Sequence, residues 1–358
     1  MAGSQEYITD IEALAALMHR RPDELCSEGL DRVIQHYPFC ISTYFANLIQ
    51  FPGDPIWRQS APDILELEDL EGIEDPLAEE ALSPAPNLVH RYPDRVLWLV
   101  SHRCATFCRF CTRKRRWQAP IPMDAHVFDA GIDYIRKHSK IRDVLLSGGD
   151  PLMLPLHRLE SIIAALRKIP HVEIIRIGTR VPCTFPRGIT PRLVQMLSQY
   201  HPIYVNIHFN HPWEITPESR EACTLLANAG IPLASQTVLL KGVNDSPETL
   251  RELFVKLLQI RVRPYYLLQM DLTRSTAHFR TPLANGLKII RALRNHISGL
   301  AIPHFVIDLP GGRGKTPLLP NSIEEIRKDQ LILSDFHGDH CEYPLLPGES
   351  EELAEWLL

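Results

Sequence analysis

His102-Arg103-Cys104-Ala105-Thr106-Phe107-Cys108-Arg109-Phe110-Cys111 gathers three cysteines in a C-x3-C-x2-C spacing, directly after the apolar run Val96-Leu97-Trp98-Leu99-Val100. The run reads as a strand, so the cysteines lie on the loop that leaves it. Three thiolates this close in sequence can converge on one metal centre. Structural zinc takes four ligands, commonly in paired C-x2-C groups, and no second pair exists here, so zinc is the weaker reading. Iron–sulfur clusters are usually held by four cysteines; three leave one iron without a protein thiolate and open to a reactant. Three incidental buried cysteines would be the bland alternative, and the compact spacing speaks against it.

Beyond the cysteines, strand-like apolar runs recur at Val144 to Leu146, Glu173 to Ile177, Ile203 to Ile207, Pro232 to Leu240, Tyr265 to Leu268 and Phe305 to Ile307, with amphipathic helix candidates between most of them. A repeat of about thirty residues is the length of a βα unit in a parallel sheet. Right-handed crossovers curl such a sheet, and six or seven units favour a full or partial (β/α) barrel in an α/β fold. Polar residues cluster where such barrels build their sites. Cys104, Gly148 to Asp150, His208, Gln236, Asp271 and Asp308 each fall in or just past the C-terminal part of a strand.

Residues 1–95 lack this alternation and read as a helical extension and connector, with candidate helices over Ile8 to His19 and Leu30 to Phe45 divided by Pro22 and Pro38. Asp63 through Glu80 is acid-rich and precedes Pro84-Ala85-Pro86, a pattern that reads as a solvated surface connector. Residues 96–320 then form the barrel, and 321–358 a C-terminal segment.

The 358 residues, 45% hydrophobic and 23% charged, describe an ordinary folded protein with a sizeable core. A formal charge of −5 supplies no global basic field for nucleic acid. No apolar run approaches the roughly 20 residues of a membrane helix, and the N-terminus has no secretory pattern, so a cytoplasmic protein is expected. The 8 cysteines are too few for a disulfide framework.

A second constellation is Asp308-Leu309-Pro310-Gly311-Gly312-Arg313-Gly314-Lys315-Thr316-Pro317. It lacks the G-x4-G-K-[ST] spacing of a phosphate loop, which disfavours a nucleotide triphosphate. A lysine in such a glycine-rich loop can instead reach into a barrel mouth and form an imine with an aldehyde cofactor such as pyridoxal phosphate. An exposed basic loop is the plainer reading of the same composition.

The triad of Cys104, Cys108 and Cys111 resembles that of the radical S-adenosylmethionine enzymes, in which the three cysteines hold a 4Fe-4S cluster and S-adenosylmethionine chelates the fourth iron. Ser147-Gly148-Gly149-Asp150 resembles that family's segment whose backbone pairs with the methionine amino group. With the Lys315 loop included, the chain is similar to the lysine 2,3-aminomutase family from roughly Tyr37 to Asp335. The similarity runs through His90-Arg91-Tyr92-Pro93-Asp94-Arg95, Cys111-Thr112-Arg113, His208-Phe209-Asn210-His211-Pro212, Arg263-Pro264-Tyr265-Tyr266 and His278-Phe279-Arg280-Thr281-Pro282.

The resemblance implies an isomerase that moves the α-amino group of L-lysine to Cβ to give β-lysine, using a 4Fe-4S cluster, S-adenosylmethionine and pyridoxal 5'-phosphate. It makes Lys315 the imine-forming lysine and sets Arg91, Tyr92 and Arg95 at pyridoxal phosphate. His208 and Gln236 match positions near the S-adenosylmethionine ribose. Arg113 matches the arginine that holds the amino-acid carboxylate, leaving Lys114, Arg115 and Arg116 as a solvated basic face. Asp271 and Asp308 match two aspartates that grip the ε-ammonium; together they favour a cationic side chain and disfavour glutamate. An electron donor such as flavodoxin or ferredoxin is implied as a partner, with neither nucleic acid nor membrane, and homo-oligomerisation is left open.

Three departures bear on these expectations. Ser246 stands where the family has a cysteine of an intersubunit zinc site, and no counterpart of the family's C-terminal cysteine cluster follows, so that zinc site is expected to be missing. His337, His340 and Cys341 read as a polar turn, with a replacement metal site the less favoured reading. Leu268 replaces a family tyrosine near the active site, which keeps arginine in play as the substrate of an arginine 2,3-aminomutase. A lysine aminomutase serving protein modification or secondary metabolism is a further alternative, and a non-catalytic iron–sulfur protein is the alternative of a different class. Cys26, Cys40, Cys183 and Cys223 read as small buried residues.

Overall fold

The computed structural model describes residues 6–25, 29–69, 71–118, 122–335 and 337–357, so Cys26 lies outside the described residues. Every one of the seven apolar runs forms a strand. With β1 at Leu88–Tyr92, they are β2 Arg95–Ser101, β3 Asp143–Gly148, β4 Ile174–Thr179, β5 Ile203–Ile207, β6 Leu233–Leu239, β7 Val262–Gln269 and β8 His304–Leu309, followed by β9 Gly314–Pro317. They join in one nine-stranded sheet in simple sequence order. Strands β2 to β8 run parallel, while β1 and β9 pair antiparallel to the two outer members. Strands β1 and β9 do not pair with each other, so the barrel is partial. Leu88–Tyr92 belongs to the sheet and not to the connector, because Pro93-Asp94 makes a tight turn that folds it back on β2 with Tyr92 opposite Arg95.

Helices return the chain between the parallel strands. The last full crossover before β7 is Pro247–Gln259, where Leu250, Leu253, Phe254 and Leu257 recur at helical spacing and are all completely buried against the sheet. Ser246 caps this helix by accepting a hydrogen bond from the Thr249 N–H at 3.2 Å. That role suits serine at a position where the family resemblance led one to look for a metal-binding cysteine.

The N-terminal region departs from its expected helices. Asp10 caps a helix over Ile11–Leu17, a short helix follows over Pro22–Leu25, and the helix that starts at Leu30 stops at His36, well short of Phe45. Pro38 has no N–H to continue it and disfavours helical geometry at Tyr37. Ile41–Ser42 then pairs with Tyr7–Ile8 and leads into a short helix, Thr43–Ala46. This layer reaches the cysteine loop directly: the Phe107 N–H donates to the Cys40 carbonyl and the Arg109 N–H to the Gln59 carbonyl, both at 2.8 Å. Cys183 and Cys223 are buried as expected, whereas Cys40 is half-buried.

The acidic stretch is solvated only in part: Glu68, Glu71, Glu74 and Glu80 are exposed, while Glu66 and Glu79 are buried. Glu66 is completely buried between Arg109 (Nη2 to Oε2, 2.6 Å) and Lys114 (Nζ to Oε2, 2.6 Å), and Asp75 pairs with Arg115 at 2.9 Å. Lys114, Arg115 and Arg116 are correspondingly not a solvated face; their side chains are 2%, 12% and 14% exposed. Opposite charge in the two segments zips the connector onto the chain just past Cys111. At the C-terminus, Ile323–Ile326, Gln330–Ser334 and His340–Pro344 form a separate antiparallel sheet, on which His340 and Cys341 are exposed.

Candidate active site

A cavity of about 1060 Å³ opens at the C-terminal ends of the parallel strands and runs down the inside of the sheet. Every residue that sequence reasoning singled out for chemistry lines it: the three cysteines, Ser147 to Asp150, Arg91, Tyr92, Arg95, Arg113, His208, Gln236, Asp271, Asp308 and Lys315. Leu268 lines it as well.

At one end stands the cysteine loop. Strand β3 ends in Gly148, whose φ of +129° is closed to residues with a side chain, and a Cβ there would lie 2.2 Å from the Ser101 carbonyl oxygen. This close approach lets the Gly149 N–H donate to Ser101 O at 2.5 Å and the Asp150 N–H to Arg103 O at 2.7 Å. The Gly-Gly-Asp backbone therefore splints the entry to the cysteine loop. Asp150 is turned inward, accepting from Thr179 Oγ1 at 2.8 Å and from the Arg180 N–H at 2.7 Å, and burial pushes its carboxyl up to about 6. His208 follows β5 and is held near neutrality of charge, its pKa pushed down to about 4 by burial and by Arg180 and Arg113, with Gln236 as hydrogen-bond partner. Gln236 sits at a register shift between β6 and β7, an irregularity that re-aims a strand side chain.

At the other end the two edges of the sheet meet. Lys315 is on β9, not in the glycine turn itself, and its register partner on β8 is Asp308. Cross-strand neighbours with opposite charge attract, and Lys315 Nζ forms an ion pair with Asp308 Oδ2. The second oxygen of Asp308 accepts from Arg91 Nη1 at 2.7 Å, while the Lys315 N–H donates to Tyr92 Oη at 2.9 Å. Side chains thus close the seam that backbone pairing leaves open. Arg95 stacks over the Tyr92 ring at 3.9 Å. Asp271, just past β7, has its carboxyl pushed up to about 7, first by burial and then by the Asp308 charge.

Arg113 lies between these ends. Glu79 takes its Nε and Nη2 edge at 3.0 and 2.6 Å, which turns Nη1 toward Ser147 Oγ and the Gly148 carbonyl, both at 3.4 Å. Sequence reasoning missed Glu79, since nothing distinguishes it from the other acids of its stretch. It also missed Arg180, which the rule of polar residues past strand ends would have found: Arg180 directly follows β4.

Similar proteins fix the family. The model for the radical S-adenosylmethionine superfamily matches residues 98–254, and that for lysine-2,3-aminomutase matches residues 290–353. An L-lysine 2,3-aminomutase of Clostridium subterminale is 50% identical over 315 residues, 87% of this chain and 76% of its own length. The chain belongs to the lysine 2,3-aminomutase family. Another L-lysine 2,3-aminomutase, from Acetoanaerobium sticklandii, is 48% identical over 92% of this chain and 80% of its own length. A glutamate 2,3-aminomutase of Clostridioides difficile is 42% identical over 92% of this chain and 79% of its own length.

Aminomutases of this family work with a 4Fe-4S cluster, S-adenosylmethionine and pyridoxal phosphate, and the residues present fit all three. Burial and mutual repulsion push the Cys104 thiol well up and the Cys111 thiol up to about 11, so a cationic centre among them is what would hold them as thiolates. Among the described residues no three His, Cys, Asp or Glu side chains are grouped to hold a single metal ion. Three thiolates without a fourth are the donor set of a 4Fe-4S cluster that leaves one iron open, so the triad fits that group. The close-approach glycines beside it suit S-adenosylmethionine, and a lysine flanked by Arg91 and Tyr92 suits an aldehyde that carries a phosphate.

Proposed function

We propose that the chain converts L-lysine to β-lysine: the C–N bond at Cα is broken and remade at Cβ, and one hydrogen passes the opposite way, from Cβ to Cα. The observation that carries the choice of substrate is the pair of acidic side chains, Asp271 and Asp308, that line the same cavity as the cysteines. When bound, S-adenosylmethionine at the reduced cluster supplies a carbon radical able to remove a hydrogen atom, and pyridoxal phosphate supplies an aldehyde to carry the amino group.

The protein's part is to bind, orient and exclude. Cys104, Cys108 and Cys111 hold the cluster, and the carbonyls of Gly148 and Gly149 with His208 and Gln236 hold S-adenosylmethionine. Arg91, Tyr92 and Arg95 hold pyridoxal phosphate, and Lys315 Nζ is the amine that meets its aldehyde. Arg113 offers its Nη1 edge to the substrate carboxylate, Glu79 keeping the guanidinium from rotating. Once Lys315 Nζ is engaged elsewhere, Asp308 loses one of its two cationic partners, and the ε-ammonium restores the balance alongside Asp271. A carboxylate side chain in the same place would meet two like charges, which separates this reading from glutamate. The free thiols suit a reducing compartment, and we place the enzyme in the cytoplasm; no helix among the described residues is long and apolar enough to cross a membrane. A small one-electron donor such as flavodoxin or ferredoxin would reduce the cluster.

The Asp271 carboxyl, raised to about 7, gives this reading a pH signature. Gripping an ammonium requires the ionised form, so kcat/KM for lysine should fall about tenfold per pH unit below pH 7 and level off above it. In Asp271→Asn the KM for lysine should rise about thirtyfold or more and that limb should vanish. Unchanged KM and an unchanged profile in the variant would remove the basis for a basic substrate. Stability carries the opposite sign. Because the folded Asp271 holds its proton above the usual carboxylate range, stability of the unliganded protein declines as pH rises from about 4 towards 7.

A further inference from the structure

Arg180 has no part in the steps above, yet it is among the most tightly held side chains of the cavity. It follows β4 and is buried, with its own N–H tied to Asp150. Its guanidinium lies between the rings of Phe45 and Phe110, each centroid 5.4 Å from Cζ. Nη2 donates to Gln59 Oε1 at 2.8 Å and to Glu214 Oε1 at 2.7 Å, and Nε donates to the His208 carbonyl at 3.3 Å. The remaining edge, Nη1, donates to Cys108 Sγ at 2.9 Å. Glu214 is completely buried, and its other oxygen accepts the N–H groups of Asn210 and His211 at 2.6 and 3.1 Å. A guanidinium serving only the packing would be satisfied by Glu214, Gln59 and the carbonyl; here one fork of it is aimed at a cysteine of the triad.

We propose that Arg180 is a positioning residue that raises the reduction potential of the cluster through a charge-assisted hydrogen bond to the Cys108 thiolate. The inference rests on the reading of Cys104, Cys108 and Cys111 as the cluster ligands. Reduction adds one electron, delivered by an external one-electron donor, to the cluster core, with no bond made or broken. The product is more negative by one charge, so a fixed positive donor on a ligand sulfur stabilises it more than the oxidised form. Arginine suits the task because it stays charged and its planar fork cannot swing away from the sulfur. Glu214, on the opposite edge, offsets part of that charge and so tunes the same quantity in the other direction. Through His208, the same guanidinium also ties the strand that carries a ligand-facing histidine to the cluster loop.

The test is a potentiometric titration of the anaerobically reconstituted full-length protein, with dithionite as reductant and the reduced cluster followed by EPR. Arg180→Gln should lower the reduced-to-oxidised ratio at a fixed potential about tenfold, which is about 59 mV for a one-electron couple. Arg180→Lys should fall between Arg180→Gln and the native protein, and Glu214→Gln should shift the ratio upward. Iron content and the thermal midpoint are read on the same samples. If Arg180→Gln fails to retain four irons, Arg180→Lys and Glu214→Gln decide: shifts of opposite sign support the proposal, and potentials equal to the native one overturn it. Native protein that takes up no four-iron cluster overturns the ligand assignment as well; a normal native cluster with unmoved potentials in the variants overturns only the role of Arg180.

Discussion

Lys315→Ala is expected to abolish turnover, by on the order of a thousandfold or more, because the residue that meets the cofactor acts as a unit with it and its loss is not shared out among neighbours. The seam explains why no other amine substitutes. Lys315 is fixed by its register with Asp308 and by the hydrogen bond from its N–H to Tyr92 Oη at 2.9 Å, so Nζ has one place to go. Arg91, though it shares Asp308, offers a guanidinium and not an amine. Borohydride treatment of native protein loaded with pyridoxal phosphate, followed by peptide mapping, should place the pyridoxyl label on Lys315. The alanine variant should take no label and should retain its iron. A variant that keeps both label and turnover would show that another amine carries the cofactor.

Glu66→Ala should produce the largest loss of stability. One buried carboxylate serves two buried cations, with Arg109 Nε to Oε1 at 2.8 Å, Arg109 Nη2 to Oε2 at 2.6 Å and Lys114 Nζ to Oε2 at 2.6 Å. Even with Glu66 present, burial pushes the Lys114 ammonium down to about 8, although Nζ also donates to the Ser275 carbonyl at 3.0 Å and lies 4.4 Å from the Tyr37 ring. Removing the carboxylate strands both cations, a change that costs about 3–5 kcal/mol in comparable settings. The thermal midpoint by circular dichroism should fall by several degrees. Because Arg109 belongs to the cysteine loop, iron retention should fall with it. A midpoint equal to that of the native protein would mean that the ion pairs of Glu66 with Arg109 and Lys114 add nothing beyond packing.

These two expectations come from opposite kinds of residue, and the difference shows what the sequence made legible. Strand-end positions are readable because the period of the fold is readable. Seven apolar runs at βα spacing predicted seven parallel strands, and Cys104, Gly148, His208, Asp271 and Asp308 fell at their ends without any need for tertiary detail. Lys315 was legible as a residue but not as a place: the glycines suggested a loop, whereas the turn at Gly311 and Gly312, both at a φ of +73°, hands the lysine to a strand opposite Asp308. Glu66 and Glu79 were illegible. Acid-rich composition normally means solvation, and only a partner far along the chain, Arg109 or Arg113, turns such a residue inward. The basic run past Cys111 was misread for the same reason, since each half of a charge zipper looks like surface when taken alone. Helix Leu30–His36 ended early because one proline outweighed a favourable apolar pattern.

The most direct measurement is anaerobic turnover of the reconstituted protein with pyridoxal phosphate, S-adenosylmethionine and dithionite, offering L-lysine, L-arginine and L-glutamate separately and identifying products by NMR. Conversion of lysine to β-lysine, with glutamate untouched, is the predicted result. Preferential conversion of glutamate, or lysine left unchanged while S-adenosylmethionine is cleaved, would contradict the assignment of Asp271 and Asp308 to a substrate ammonium; preferential conversion of arginine would keep the acidic pair and replace lysine as the substrate.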